Sequence, residues 1–215
     1  MKEYSSNKTL ILIEVLDVVS MAKNLLYNTF KIELVLVDLI YWKIDEIEST
    51  ENITERLLRF QQWNSNHSFS KSHDVIHLYS SNFSENSLGR AFNHPMCDES
   101  GLPSGTVHFF KFDKIAVADT VAHEIGHWLG MKHDSYSGVW TKNDCVMRKV
   151  HQGITNCWSL RSKQYMIDSL SKGQGQCLHD APSKSRSIHF CGNGILEYKE
   201  DCGCNGKDCP LRKEP

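Results

Sequence analysis

The chain has no excess of charge of either sign: 24 basic residues face 26 acidic ones in a chain of 215. That balance implies neither a nucleic-acid-binding field nor attraction to an anionic membrane surface. Nor does it contain an apolar stretch long and charge-free enough to span a bilayer. The nearest, Leu10 to Val19, is broken by Glu14 and Asp17, and the same acids exclude it as the apolar segment of a secretory signal. There is no internal repeat. After Cys191 apolar content is scarce, so that tail cannot be driven by a core of its own and must be stapled.

What is abundant is cysteine. Eight are present, four of them between Cys191 and Cys209, a density that reads as disulfides formed in an oxidising compartment. Acceptor sequons at Asn7, Asn52, Asn66 and Asn82 point the same way, towards a glycoprotein of the secretory pathway. The expectation is a fragment or variant, extracellular or part of a membrane protein's ectodomain, without its targeting segment.

The length suits one medium domain with a small appendage. Polar Glu14, Asp17, Asn24 and Asn28 recur at helical spacing, predicting a helix from about Lys8 to Tyr27. The near-continuous apolar run Ile32 to Trp42 reads as a strand buried on both faces. Asn52 caps a second helix to about Trp63; Val75 to Tyr79 and Thr106 to Phe110 read as strands, with a loop over Asn82 to Ser104. A helix over Ile115 to Leu129 stops at Gly130, and Ser159 caps a last helix to Ser171, with Gly173 beyond it. Alternating helix and strand favours an α/β layered domain over residues 1–180. A polar linker at 181–190 and a cysteine-rich stub at 191–215 follow.

The chemistry concentrates in His123-Glu124-Ile125-Gly126-His127-Trp128-Leu129-Gly130-Met131-Lys132-His133-Asp134. One helical turn separates His123 from His127, so both imidazoles leave the same face and can meet on one ion. Gly130 can end the helix in the left-handed conformation and swing His133 back as a third ligand. Three protein ligands leave a fourth position for water, the catalytic rather than the structural zinc arrangement. Glu124 lies beside them as a general base, not a ligand. The alternative is a set of unrelated histidines in an ordinary helix. In this composition the five-residue His-Glu-x-x-His pattern alone arises by chance in about one chain in thirty, and with Gly130 and His133 in roughly one in ten thousand.

With Cys145-Val146-Met147 after it, this pattern resembles the reprolysin (adamalysin) branch of the metzincins, which comprises the ADAM proteases and the snake-venom metalloproteinases. The resemblance implies a zincin domain with a twisted, mostly parallel sheet plus helices. It implies one catalytic zinc, protein or peptide substrates, and a turn under the metal formed by Met147. Gly130 and Asp134 are markers of the branch. Gly105 to Phe110 is similar to the antiparallel edge strand along which a substrate would pair, and Arg148 to Trp158 to the wall of the pocket beyond the scissile bond. The resemblance also implies the disulfides Cys97–Cys177 and Cys145–Cys157. Cys191 to Cys204 looks like the opening of a disintegrin-like domain, with calcium through Asn193, Glu197 and Glu200; solvated surface acids are the alternative reading there. Against the family pattern, Trp128 replaces a small polar residue, and the first strand of the sheet has no counterpart ahead of the first helix. Two functions therefore stand: an active zinc endopeptidase, or a truncated or inactive ADAM-like protein kept for adhesion or binding.

Overall fold

The computed structural model describes residues 8–48, 50–69, 73–80, 88–92, 97, 104–108, 113–134, 145–149 and 155–179; for 104–108 the description is of the backbone alone. The tail from 181 onward, with its four cysteines and the acids suggested for calcium, lies outside the described residues.

Helix α1 (Lys8–Phe30) runs three residues further than its polar spacing predicts, and ends where Lys31 turns to φ 60°. Its buried stripe is Val15, Val18, Ala22 and Leu26, a three- and four-residue spacing that keeps one face inward. That face packs on helix α3 (Lys114–Trp128), which is buried along most of its length. Lys114, at the start of α3, bridges Glu14 and Asp17 of α1 at 3.0 and 2.7 Å, so the acids that interrupt the apolar run serve this helix pair. Helix α2 (Ile53–Asn66) is capped as its sequence suggests, the Asn52 side chain accepting from the Glu55 N–H at 2.9 Å. Helix α4 (Leu160–Ser171) begins with the equivalent bond from the Ser162 N–H to the Ser159 hydroxyl at 3.0 Å. None of the described helices is long and apolar enough to cross a membrane.

Three strands form one sheet in the order β1 (Ile76–Ser80), β3 (Ser104–His108), β2 (Gly89–Ala91). Strands β1 and β3 are parallel, from Ile76 opposite Ser104 to Ser80 opposite His108. Strand β2 runs antiparallel to β3, with Gly89 opposite Val107 and Ala91 opposite Gly105. Two expectations are corrected here. The strand beginning near Gly105, expected at the antiparallel edge, is central; the antiparallel outer strand is β2, inside the stretch read as loop. Three residues are too few to show a two-residue alternation, and direction is not encoded in periodicity.

The third correction concerns Ile32 to Trp42. Among the described residues this run belongs to no strand ladder, and its side chains are half-buried or exposed rather than enclosed on both faces. Apolar, β-branched content records a preference for a sheet, but a strand also needs a neighbour to pair with. Between this run and β1 lies an apolar cleft of about 410 Å³, lined by Leu34, Leu36, Ile76, Leu78, Val121 and Ile125 among others. A smaller core of Ile47, Phe60 and Leu78, with Trp42 and Trp63 packed against it, closes one side.

His77 of β1 also borders that cleft. The residue keeps some exposure, yet both ring nitrogens are shut from solvent and have no partner among the described residues. Burial holds its pKa down at about 4, against 6.5 for a free imidazole. Below pH 6.5 the unfolded chain therefore takes a proton that the folded chain refuses until about pH 4. Stability from this residue is complete above 6.5 and is lost as pH falls through that window, by roughly 3 kcal/mol in all. Thermal melts at pH 7 and pH 4.5 should show His77→Phe losing less stability on acidification than the parent chain.

Candidate metal centre

Helix α3 carries His123, Glu124 and His127, and its end is built to return the chain. The Leu129 N–H still bonds the Ile125 carbonyl at 2.9 Å, then Gly130 takes φ 84° and the Met131 N–H reaches the Gly126 carbonyl at 2.9 Å. This left-handed closure is open to glycine at little cost. It places His133 opposite the two helical histidines. The Nε2 atom of His133 stands 3.1 Å from Nε2 of His123 and 3.1 Å from Nε2 of His127. Among the described residues this is the one group of three or more metal-binding side chains drawn together.

The other nitrogen of two of these rings is already engaged. His123 Nδ1 lies 2.6 Å from the Val146 carbonyl, and His127 Nδ1 lies 3.0 Å from the Met131 carbonyl. A carbonyl only accepts, so each Nδ1 carries the proton and each Nε2 presents a lone pair. Lone pairs of neighbouring rings then face one another, an arrangement that calls for a cation between them. Two nitrogens bound tetrahedrally at the usual zinc distances stand about 3.3 Å apart, close to the separations here. The donor set fits zinc. Burial drives the His123 pKa down to about 3. It also lowers those of His127 and, with the charge of Lys149 second, His133, so the rings are neutral and available as ligands at neutral pH.

Glu124 is 5% exposed and sits beneath β2. A Cβ on Gly89 would lie 2.8 Å from its Oε1 and 2.5 Å from Thr120 Cγ2, so only a glycine lets the strand come this close. Burial raises the carboxyl pKa to about 8, although the charge of Arg90 and a hydrogen bond from the Ala91 backbone oppose the shift. Its other oxygen, Oε2, is closed to solvent without a partner among the described residues.

Met147 is fully buried. It presses on Gly126 so closely that a Cβ there would collide with its sulfur and meet Trp158 at 3.1 Å. The Met147 carbonyl accepts from the Asp134 N–H at 2.8 Å. The Asp134 carboxylate accepts from the Ser159 hydroxyl at 2.6 Å, tying the third-histidine turn to the cap of α4. Disulfides join Cys145 to Cys157 and Cys97 to Cys177. Trp128 faces the core, 4% exposed. In the stretch expected to wall a substrate pocket, Lys149 and Asn156 are exposed, whereas three of its residues are not. Arg148, Thr155 and Trp158 are all turned inward, Trp158 donating to the Leu25 carbonyl at 2.8 Å; residues 150–154 lie outside the described ones. Asp119, which none of the sequence patterns singles out, is drawn into this region through Arg148.

The family of reprolysin (M12B) zinc metalloproteases matches residues 1–182. The chain belongs to that family. It is 32% identical over 205 residues to disintegrin and metalloproteinase domain-containing protein 1a of Mus musculus, an alignment covering 91% of this chain and 25% of that protein. It is 31% identical over 193 residues to the zinc metalloproteinase-disintegrin-like brevilysin H2a of Gloydius brevicauda, covering 86% and 45%. This reprolysin thus spans a quarter to under half the length of these relatives. The family is zinc-dependent, and among the described residues of this reprolysin the three histidines could hold the ion.

Proposed function

We propose that this chain is a zinc-dependent endopeptidase that hydrolyses peptide bonds in protein substrates outside the cell or in the secretory pathway. The observation that carries this reading is the convergence of three neutral imidazole Nε2 atoms, with a buried carboxylate on the adjacent residue. A zinc ion on those nitrogens would polarise the scissile carbonyl, lower the pKa of its water to about 7 and favour the ionised form of Glu124.

Glu124 is the general base. Its carboxylate takes the proton of the attacking water and then delivers it to the leaving amine. Confinement under β2 limits the carboxylate's freedom, so little ordering remains to be done when substrate arrives. Met147 and the Cys145–Cys157 disulfide hold the floor of the site against α3. The substrate would pair in extended form with the antiparallel outer strand of the sheet, β2, which lies over Glu124.

A second reading, a binding or adhesive protein without hydrolytic turnover, is favoured by the apolar cleft beside the run Ile32 to Trp42. An apolar cleft of this kind is a surface on which a protein segment could dock without being cleaved. Proteolysis by the zinc-loaded chain with and without a chelator separates the two readings: chelator-sensitive cleavage supports the endopeptidase, and no cleavage by a zinc-loaded, folded chain supports the binding protein.

For the endopeptidase reading, Glu124→Ala should keep one zinc per chain while peptide hydrolysis falls by about 10²–10⁴-fold. Metal analysis beside a proteolysis assay decides it: near-normal turnover in the variant excludes Glu124 as the base.

A further inference from the structure

One buried ion pair is left over by the metal-centre reading. Asp119 lies on α3 one turn ahead of His123 and is 2% exposed, and Arg148, directly after Met147, is 6% exposed. Arg148 Nη2 donates to Asp119 Oδ2 at 2.8 Å. Thr155 Oγ1 donates to the other oxygen, Oδ1, at 2.8 Å. One carboxylate therefore holds two residues that lie on opposite sides of the stretch 149–154.

Charges buried in this way add little net stability, because desolvation offsets most of their attraction. An apolar pair of similar size would pack α3 as well. What the ion pair supplies is a fixed register, since a forked guanidinium and a hydroxyl meet one carboxylate in few geometries. The register matters two residues away. Val146 precedes Met147 and Arg148, and its carbonyl is the acceptor that holds the proton on His123 Nδ1 at 2.6 Å. On its far side the same turn is clasped by the Cys145–Cys157 disulfide and by the bond from the Val146 N–H to the Cys157 carbonyl at 2.9 Å. The clasp also meets α3 where Met147 packs on Gly126, but that is a contact of shape and not a directed bond.

We propose that Asp119, Arg148 and Thr155 are positioning residues for the metal centre. They pin the turn bearing Val146 to α3, so that its carbonyl stays against His123 Nδ1 and the ring presents Nε2 to the ion. This rests on the three-histidine reading of the site. The prior expectation for Arg148, a pocket wall, would leave its guanidinium facing substrate; here it is spent on the helix that carries the ligands.

The test compares the parent chain with Thr155→Val and with the double variant Asp119→Leu/Arg148→Met, which removes both charges and leaves neither unpaired. Three quantities are read: the zinc dissociation constant by competition with a chromophoric chelator, the ¹⁵N shifts of the His123 ring in zinc-free protein, and the melting temperature. We expect zinc binding about 10–100-fold weaker in the double variant and several-fold weaker in Thr155→Val. The ring of His123 should change from one tautomer to a mixture while the double variant melts no lower than the parent. Unchanged zinc affinity and an unchanged tautomer in the double variant would overturn the proposal. Should that variant fail to fold, Thr155→Val decides alone, because it exchanges a hydroxyl for a methyl in a nearly isosteric side chain; parent-like affinity and tautomer there overturn the proposal equally. Failure of the parent chain itself to bind zinc would refute the three-histidine reading, a different outcome from any variant behaving like a parent that binds.

Discussion

Two backbone carbonyls decide what this protein can do. Those of Val146 and Met131 each accept a proton-bearing Nδ1 from a ring of α3, and in doing so fix which nitrogen of each ring faces its neighbours. Everything else in the central region serves to put those carbonyls there. Gly130 and the end of α3 deliver Met131, and the Met147 turn with its disulfide delivers Val146. Asp134 then links the two deliveries, its N–H bonded to the Met147 carbonyl and its carboxylate to the cap of α4. A ligand set assembled in this way is held by backbone, which leaves the rings few ways to turn out of line.

The cost of such a site is carried by the core around it. Helix α3 is buried along nearly its whole length against α1 and the sheet, so its histidines and glutamate occupy positions largely stripped of water. Burial is the first cause of the shifted proton affinities of His123, His127 and Glu124 alike. It makes the imidazoles better ligands and the carboxyl a stronger base. One environment thus pushes the imidazole bases down and a carboxylic acid up, and the proposed hydrolysis would draw on both shifts.

Much of this was legible in the residues because it is local. The turn between His123 and His127, the glycine stop, and the Asn52 and Ser159 caps are all short-range features with their own spacing rules. What was not legible is non-local. Strand β2 is three residues in a stretch of polar and small side chains, and nothing in Gly89–Ala91 announces that it lies over Glu124. Ile32 to Trp42 has a strand's composition, yet pairing depends on a neighbour that no property of the run itself supplies. Asp119 meets Arg148 and Thr155 across about thirty residues of chain, and a single acid within a helix gives no hint of its partners. In each of these places the missing information was which other segment the residues face.

Because the account stands on three imidazole nitrogens converging on one ion, X-ray absorption at the zinc edge of the loaded protein tests it most directly. The account predicts three nitrogen neighbours at about 2.0–2.1 Å and one further light atom, with no sulfur in the first shell. A spectrum requiring sulfur ligands, or fewer than three imidazoles, would contradict it.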